Sequence, residues 1–396
     1  MTRTDPIVIV GASRTAMGSF QGALSQADAS TLGSSAITGA LLSAGLNASA
    51  VEEIIMGCVL PAGQGQAPAR QAAIKAGLPL ACGATTINKM CGSGMKAAML
   101  AHDLLYAGSA AVMVAGGMES MSNAPYLLPK MREGARLGHA NVIDHIFMDG
   151  LEDAYDKGRL MGTLAEDCAQ ALNFSRQKQD SYAIASLERA QKAIAKGSFD
   201  AEISPVTLPT RNGETMVDTD EQPGKARFDK IPTLKPAFRT NGTVTAANAS
   251  SISDGAAALV LLRRSEAERR GLTPLAQIAG HCTFADAPNL FPTAPIGALR
   301  RLTEVTGWSL DEVDLFEVNE AFAVVALAAM QELNLPHDKV NVHGGACALG
   351  HPIGASGARV IVTLLAALQK YDLKCGVASL CIGGGEATAI GIERLS

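Results

Sequence analysis

Short β-branched runs that end in glycine-rich turns, each followed by an apolar helical stretch, recur at both ends of the chain. In the first half, the run 85–88 leads into Cys91-Gly92-Ser93-Gly94, an Ala- and Met-rich stretch follows, and the next run ends at Gly116-Gly117. Strands that alternate with helices are typical of a sheet with parallel strands and with helices packed on its faces. The alternation therefore predicts an α/β fold.

The second half of the chain repeats this order of elements. The turn Gly350-His351-Pro352 precedes a helix predicted over residues 357–371, the strand 376–381 follows, and Gly383-Gly384-Gly385 ends that strand. Two similar βαβ-rich halves that pack together would bring their strand-end turns to one interface. Because α/β proteins bind ligands at the carboxyl ends of strands and between domains, we expect these turns to share a pocket.

The middle of the chain has a different character, with more charge, more Pro and Gly, and weaker alternation. We therefore predict an inserted loop or lid domain over residues 121–249. The N-terminal half is predicted at 1–120 and is completed by residues 250–270. The C-terminal half is predicted at 271–396.

Three local predictions concern single elements. An amphipathic helix is predicted over residues 175–195, loops over 218–236, and a strand over 340–345 that leads into the histidine turn. Long stretches without regular structure are commonly lids or binding segments. The loop prediction therefore favours a ligand-covering role for the insertion.

Composition excludes several classes of function. With 396 residues, 47% of them hydrophobic and 18% charged, the chain is long enough to bury a large core. A net charge of −5 and the lack of a basic cluster disfavour nucleic-acid binding. Glycine and polar residues interrupt the long apolar runs, and residues 7–10 are too few for a signal-peptide core, so no membrane association is expected.

The eight cysteines are scattered, with no Cys-x-x-Cys pair and no spacing typical of a metal site. Free thiols of this kind are typical of a reducing compartment, so we expect a cytoplasmic protein without structural zinc. Cys91 and Cys381 stand out from the other six because glycines frame them.

Cys91 and His351 are candidates for a nucleophile and its base. Cys91 precedes a predicted helix, where unpaired backbone N–H groups favour the thiolate. His351 lies in a glycine-rich turn, and an imidazole can accept a thiol proton near neutral pH. A small buried cysteine and a loop histidine bonded to the backbone are the alternatives that the local pattern leaves open.

Two further positions could complete such a site. Cys381 ends a predicted strand and precedes three glycines, whose N–H groups could stabilise an oxyanion, while the thiol could carry a proton. Asn319 lies at a strand-to-helix junction, where its amide could hold a water or a thioester carbonyl. A buried strand-end cysteine and a helix N-cap are the structural alternatives for these two residues.

Together these segments resemble the active-site segments of the thiolase family, in that family's order and across essentially the whole chain. The segments are Asn88-Lys89-Met90-Cys91-Gly92-Ser93-Gly94, Asn319-Glu320-Ala321-Phe322, Gly350-His351-Pro352 and Cys381-Ile382-Gly383-Gly384-Gly385. The resemblance implies a five-layered αβαβα core of two similar halves, with an inserted loop domain that binds coenzyme A. It also implies a homo-oligomer, either a tetramer or a dimer.

The resemblance also implies roles for the residues at matching positions. Cys91 would accept the acyl group, His351 would activate Cys91, and Cys381 would remove the α-proton of a second acyl-CoA. Asn319, through a water, and His351 would stabilise the enolate oxygen of that thioester. The backbone N–H groups of Cys91 and Gly383 would form a second oxyanion hole.

A second group of residues is implied to bind coenzyme A. Ser250 would lie beside the pantetheine, and the tunnel would be lined by Phe238, Phe322, Leu160, Met161 and Ala246. No cofactor would be bound permanently, because the coenzyme A thioester is itself the substrate.

The implied reaction joins two acetyl-CoA into acetoacetyl-CoA and CoA, or runs in reverse. Where many short-chain members have a histidine before Met-Gly, this chain has Leu160, and segment 289–296 lacks the methionine expected to close an acetyl-specific pocket. A 3-ketoacyl-CoA thiolase of broader chain length is therefore an open alternative. Less favoured alternatives are a 3-ketoacyl-carrier-protein synthase, which would have a histidine in place of Cys381, and a non-catalytic acyl-CoA binder.

Overall fold

The computed structural model describes residues 5–211 and 213–395. Strands and helices alternate through the first part of the chain, in the order β1 (Ile7–Arg14), β2 (Gly18–Ser19), α1 (Ala29–Ala44), β3 (Glu53–Gly57), α2 (Pro68–Lys75), β4 (Gly83–Ile87), α3 (Ser93–Ala107) and β5 (Val112–Ser120). The insertion follows, with β6 (Tyr126–Leu127), β7 (Ile143–Asp144), α4 (Met161–Ala171), α5 (Arg176–Ala195), β8 (Val206–Thr210), β9 (Gly213–Val217) and α6 (Glu221–Lys225).

Alternation resumes after the insertion. The remaining elements are β10 (Ser253–Arg263), α7 (Arg264–Arg270), β11 (Ala276–Ala285), α8 (Ala294–Thr306), β12 (Leu315–Val318), α9 (Ala323–Leu333), α10 (Ala346–Leu349), α11 (Ile353–Lys370), β13 (Cys375–Ile382) and β14 (Glu386–Arg394). The two ends of the chain thus have the strand–helix order that the sequence predicts.

Ten strands form one sheet in the order β4-β3-β5-β10-β1-β11-β14-β13-β12, with β2 paired to β10. The strands β4, β3 and β5 are parallel, and so are β12 and β13. Among the described strands, the N-terminal and C-terminal parts meet only between β1 and β11, where Val8 faces Gln277 and Ile9 faces Ala276. The sheet therefore consists of two parts, one for each half of the chain, joined along a short seam.

The helices and the two parts of the sheet form five layers. The helices α1 and α2 cover the outer face of the N-terminal part, and α8 and α9 cover that of the C-terminal part. The helices α3 and α11 pack between the two parts. Along β10, Val260 faces the outer helices while Leu259 and Leu261 face the central pair, because successive side chains point to opposite faces of a strand. The predicted αβαβα core is confirmed.

Of the three local predictions for single elements, one is confirmed and two are wrong. The helix predicted over 175–195 is confirmed as α5, at Arg176–Ala195. The segment 218–236 is not all loop, since it contains α6 and a 3₁₀ stretch at Phe228–Thr233. Buried Asp220 accounts for this order, because it accepts two hydrogen bonds from the buried Arg14 guanidinium, at 2.7 and 2.8 Å.

The strand predicted over 340–345 is also absent. Only Val340 pairs with Phe316 of β12, and Asn341 then turns into a left-handed conformation with φ of 49°. Its side-chain amide replaces the missing strand, accepting from Val318 N at 2.9 Å and donating to Val318 O at 2.8 Å. A side chain that bonds the backbone in this way competes with regular strand pairing.

Among the described residues, one helix, α11, is long and apolar enough to cross a membrane. Its apolar window is 83% buried inside the protein. Helices packed into the centre of a protein share this composition, so the length and hydropathy of α11 follow from its place between the two parts of the sheet.

The two central helices approach so closely that glycine is required at their contact. A Cβ built on Gly357 of α11 would lie 2.4 Å from the backbone N of Met95, and one on Gly94 of α3 would lie 2.7 Å from the backbone N of Ala358. Atoms this close must separate, and backbone atoms cannot move aside as the end of a long side chain can. The helix that follows Cys91 and the helix that follows His351 are therefore held at a fixed separation.

We predict that Gly357→Ala destabilises the protein by about 1–3 kcal/mol, because overpacking a tight contact costs this much. The control is Gly224→Ala, since no atom lies within 4 Å of a Cβ at Gly224. The midpoint of thermal unfolding should fall clearly in the first variant and little in the second. Equal midpoints for both variants would show that the contact is loose.

Candidate active site

Residues of both halves and of the insertion line a cavity of about 360 Å³. Ten of the lining residues are among those predicted from the sequence, namely Cys91, His351, Cys381, Gly383, Ser250, Phe238, Phe322, Leu160, Met161 and Ala246. The other predicted residue, Asn319, is buried but does not line this cavity. The four separate sequence segments therefore meet around one site.

The turn that carries Cys91 is fixed by local hydrogen bonds. Met90 adopts a left-handed φ of 46°, and the Ser93 hydroxyl accepts from Lys89 N at 2.8 Å and donates to Met90 O at 2.6 Å. A Cβ on Gly92 would lie 2.3 Å from Cδ1 of Ile382, which follows Cys381. Glycine at position 92 thus allows the two cysteine-bearing turns to touch.

An ion pair ties the same two turns together. The Lys89 ammonium lies 2.6 Å from a carboxylate oxygen of Glu386, and both side chains are about a quarter to a third exposed. The sequence pattern assigns neither residue a role, although both lie in or beside the glycine-framed segments. Partly exposed ion pairs contribute little to folding stability. We therefore interpret this contact as one that positions the two turns.

Burial sets the protonation of Cys91. Burial raises the pKa of the Cys91 thiol to about 11, although the backbone N–H groups of Gly383 and of Cys91 itself lower it in part. The expectation that the helix N-terminus favours a thiolate is therefore wrong for the ligand-free protein, since desolvation outweighs the backbone dipoles. The same two N–H groups are the ones expected to form an oxyanion hole.

His351 is a neutral imidazole with one nitrogen available. Its Nδ1 lies 2.6 Å from Oγ of Ser356, and the Ser356 hydroxyl donates to Pro352 O at 3.0 Å. The hydroxyl has one proton, so Nδ1 carries the proton of the imidazole, and Nε2 presents a lone pair. Nε2 is buried and has no hydrogen-bond partner within the described part of the chain. Ser356, which the sequence pattern does not single out, thereby selects the tautomer that can act as a base.

The electrostatics of the interior keep His351 uncharged. Burial, and then the positive charge of Arg359, lower the pKa of the imidazole to about 3. A resting thiol at Cys91 and a resting neutral imidazole at His351 therefore coexist at neutral pH. Burial thus disfavours a separated thiolate–imidazolium pair at this site.

Cys381 lies at the end of β13 and is 1% exposed. Burial raises the pKa of its thiol well above the ordinary value, and the neighbouring Cys91 adds to the effect. The turn that follows needs glycine, since Gly384 and Gly385 have φ of 95° and 83°. Once deprotonated, a thiolate so poorly solvated is a strong base, which suits the removal of a weakly acidic C–H proton.

Asn319 is oriented by a buried pair of charges. Its Oδ1 accepts from Nη2 of Arg359 at 3.1 Å, and Nη1 of Arg359 lies 3.3 Å from a carboxylate oxygen of Glu317. The amide nitrogen of Asn319 is buried and has no partner among the residues described. The Asn319 amide lies behind the cavity wall, which fits the predicted contact with substrate through a water. The sequence pattern singles out neither Arg359 nor Glu317.

Glu320, the residue after Asn319, anchors the insertion to this turn. Its carboxylate accepts from Tyr182, Ser186 and Asn341, each at 2.8 Å, and from Cys347 N at 3.0 Å. Tyr182 and Ser186 belong to α5, so the longest helix of the insertion is fastened beside the site. The sequence reveals the carboxylate of Glu320, but it does not reveal the four donors elsewhere in the chain that bond to it.

A second buried carboxylate fastens the histidine turn to the N-terminal half. Glu119 accepts from the backbone N–H groups of Val59 at 2.9 Å, Leu60 at 3.1 Å and Gly354 at 2.8 Å. Burial raises the pKa of Glu119 to about 7 in spite of these donors. The bond from Gly354, three residues beyond His351, holds the histidine turn against β5, and the other two bonds tie the segment after β3 to the same carboxylate.

The residues expected to contact coenzyme A form an apolar entrance. The rings of Phe238 and Phe322 meet edge to face with centroids 6.0 Å apart, and Gly162 leaves room for Phe238. Ser250 is tied to the Asn319 turn, since its hydroxyl donates to Ala321 O at 2.9 Å. Phe291, in the segment that lacks a methionine, lines the cavity and is 2% exposed.

Comparison with known proteins agrees with this geometry. The profile described as Thiolase, N-terminal domain, matches residues 7–265, and that described as Thiolase, C-terminal domain, matches residues 272–394. The chain therefore belongs to the thiolase family. An acetyl-CoA acetyltransferase of Pseudomonas aeruginosa is 49% identical, and one of Cupriavidus necator is 48% identical, each over 98% of this chain and 99% of its own length.

Solved structures give the same result. The acetyl-CoA acetyltransferase of Bacillus anthracis matches with a TM-score of 0.96 and 40% identity, covering 99% of both chains. A thiolase from Ascaris suum in complex with coenzyme A matches with a TM-score of 0.93 and 39% identity, covering 98% of this chain and 100% of that one.

The protonation states give a pH prediction. Because the pKa of Cys91 is raised to about 11 and that of His351 is lowered to about 3, alkylation of Cys91 in the ligand-free protein should accelerate steadily with pH beyond about 9. Iodoacetamide labelling, followed by mass spectrometry of the Cys91 peptide, measures the rate at each pH. A rate that levels off near neutral pH would reveal a resting thiolate–imidazolium pair and contradict this assignment.

Proposed function

We propose that the chain is an acetyl-CoA C-acetyltransferase that joins two acetyl-CoA into acetoacetyl-CoA and CoA, reversibly and through an acyl-Cys91 intermediate. The observation that carries the proposal is the convergence of two thiols and an unpartnered imidazole nitrogen on one cavity in the described part of the chain. The relatives named above are acetyl-CoA acetyltransferases, and one related thiolase structure contains coenzyme A. Coenzyme A thioesters are then substrates, and no permanently bound cofactor is proposed.

In the first half-reaction, the Cys91 sulfur attacks the carbonyl carbon of acetyl-CoA. The Cys91 proton passes to Nε2 of His351, the bond from carbon to the CoA sulfur breaks, and Cys381 protonates the departing CoA sulfur. The tetrahedral oxyanion is stabilised by the N–H groups of Cys91 and Gly383. An imidazolium and the Cys381 thiolate then occupy one cavity, where their opposite charges stabilise each other.

In the second half-reaction, the Cys381 thiolate removes an α-proton from a second acetyl-CoA. The enolate oxygen receives hydrogen bonds from protonated His351 and from a water held by Asn319. The enolate carbon attacks the acetyl group, the bond from carbon to the Cys91 sulfur breaks, and His351 returns its proton to Cys91. Every group ends in its starting protonation state, so the chain needs no external acid or base.

Three alternatives differ from this proposal. A 3-ketoacyl-CoA thiolase of broader chain length would use the same residues with a roomier acyl pocket. A 3-ketoacyl-carrier-protein synthase is disfavoured because the position of its second histidine is occupied by Cys381. A non-catalytic acyl-CoA binder gives no reason for a buried imidazole nitrogen without a partner among the described residues.

Assembly and location are also proposals. The edge strand β4 has a partly exposed side and no neighbour beyond it within the described residues, so a second copy could extend the sheet there. We infer a homo-oligomer, tetramer or dimer, in the cytoplasm. The free thiols of all eight cysteines support a reducing compartment.

The division of labour between the cysteines is testable with radiolabelled acetyl-CoA. Cys91→Ala should acquire no acetyl group and should lose both directions of the reaction, because it lacks the nucleophile. Cys381→Ala should still be acetylated at Cys91, more slowly, yet should lose condensation by at least about 10³-fold, since it lacks the α-proton base. Cys375→Ala is the matched control, because Cys375 lies at the other end of β13.

Peptide mapping locates the label in each variant. Label on a cysteine other than Cys91 would overturn the acyl-enzyme, and equal loss of both half-reactions in Cys381→Ala would overturn the separate role of Cys381. Unlabelled wild-type protein would favour the non-catalytic binder.

Chain-length preference should depend on Phe291. Its ring packs against Phe322, with centroids 6.3 Å apart, and lines the cavity, so we infer that it limits the space for a longer acyl chain. Wild-type protein should cleave acetoacetyl-CoA faster than 3-ketohexanoyl-CoA, and Phe291→Ala should shift this ratio of kcat/KM toward the longer substrate by about tenfold, the value of one or two methylenes.

The control for chain length is Phe284→Ala, since Phe284 lies outside the cavity. It should leave the ratio unchanged. A wild-type protein that prefers 3-ketohexanoyl-CoA would establish the broader thiolase instead, and an unchanged ratio in Phe291→Ala would show that another wall limits the chain.

A further inference from the structure

Three metal-ligating atoms converge at a place remote from the cavity. Nδ1 of His102 lies 2.9 Å from Oδ1 of Asp103, and Nε2 of His281 lies 3.1 Å from the first and 3.0 Å from the second. His102 and Asp103 belong to α3, and His281 belongs to β11. Two imidazoles and a carboxylate, from segments more than 170 residues apart in the chain, thus have ligating atoms within 3.1 Å of one another.

The spacing of the three atoms matches a metal coordination face. Metal bonds of about 2.1 Å place neighbouring ligand atoms about 3.0 Å apart at right angles and about 3.4 Å apart in a tetrahedron. The observed separations of 2.9 to 3.1 Å match the spacing of ligands at right angles. A pair of imidazole nitrogens at 3.1 Å can share at most one proton, whereas an ion would use the lone pairs of both.

The surroundings hold the ligands and leave one side open. The His102 ring is 1% exposed, stacks over Tyr106 and meets the His281 ring edge to face with centroids 4.8 Å apart. The Asp103 side chain is 56% exposed, so water can complete the coordination from that side. The rings are therefore fixed before an ion arrives, which reduces the entropy cost of binding.

We propose that His102, Asp103 and His281 bind a divalent transition ion such as Zn²⁺ or Co²⁺. Two imidazole nitrogens favour ions of this class, whereas Mg²⁺ and Ca²⁺ prefer sites made wholly of oxygen ligands. The single carboxylate supplies negative charge. The sequence does not reveal this site, because the spacing of the three residues has no motif and His281 meets His102 and Asp103 only in the folded chain.

The ion has a structural role. It joins α3, which begins at the nucleophile turn, to the first strand of the C-terminal half, and so forms a link between the two halves. His102 is nine residues along α3 from Ser93, which places it about 14 Å from that turn at about 1.5 Å per residue. The ion therefore takes no part in the chemistry, but it stabilises the folded state by binding to it selectively.

The test uses full-length protein without an affinity tag, treated with a chelator and titrated with Co²⁺ and with Zn²⁺. Wild-type protein should bind one ion per chain, with Co²⁺ bands of nitrogen and oxygen ligands and no thiolate-to-metal charge-transfer band. His281→Phe keeps a ring of similar shape and should weaken binding at least about tenfold, as should Asp103→Asn. His139→Phe is the control, because His139 is exposed and lies away from the three ligands.

Thermal unfolding gives a second measurement. Zn²⁺ should raise the midpoint of wild-type protein and of His139→Phe, and should leave that of His281→Phe unchanged. Binding that is equal in all variants, a charge-transfer band that places the ion on cysteines, or no binding by wild-type protein would each overturn the site. Because none of these measurements depends on turnover, the result is independent of the proposed acyl transfer.

Discussion

Close contact between backbones at the centre of the molecule is the constraint on which the rest of the structure depends. A Cβ on Gly117 would lie 2.0 Å from Gly354 O, and one on Gly357 would lie 2.4 Å from Met95 N. These contacts join the N-terminal half to the turn and helix that follow His351. Because no side chain separates the two halves here, Cys91 of one half and His351 of the other reach the same cavity.

Buried carboxylates then fix the turns that the glycines bring together. Glu119 accepts hydrogen bonds from three backbone N–H groups, and Glu320 accepts them from side chains of the insertion. Glu317 pairs with Arg359, which in turn contacts Asn319. Burying such groups is costly even when they are paired, and a hydrophobic replacement is often as stable. We therefore interpret them as positioning groups, which select one arrangement of the catalytic side chains and leave Nε2 of His351 without a partner in the described part of the protein.

The sequence predicts the fold and singles out three candidate residues for a clear physical reason, whereas the roles of those residues follow from the resemblance of the four segments taken together. Cys91, His351 and Cys381 each lie among glycines near the end of an apolar run, a local pattern that needs no tertiary information to recognise. Protonation is different, because burial by residues far along the chain decides it, and the local argument for a Cys91 thiolate is wrong. The segment 340–345 shows the same limit of local reasoning. Its sequence predicts a strand, but in the structure the side-chain amide of Asn341 makes the hydrogen bonds to Val318.

The most direct test of the account is to join the thiols of Cys91 and Cys381, the proposed catalytic pair, with a short bifunctional thiol reagent, such as dibromobimane, in the native protein. The reagent can bridge only sulfur atoms that face each other across a small space. Proteolysis and mass spectrometry should recover one cross-linked pair of peptides, containing Cys91 and Cys381. Modification of both cysteines without a link, or a link from Cys91 to a different cysteine, would show that the two halves do not present their thiols to a single substrate.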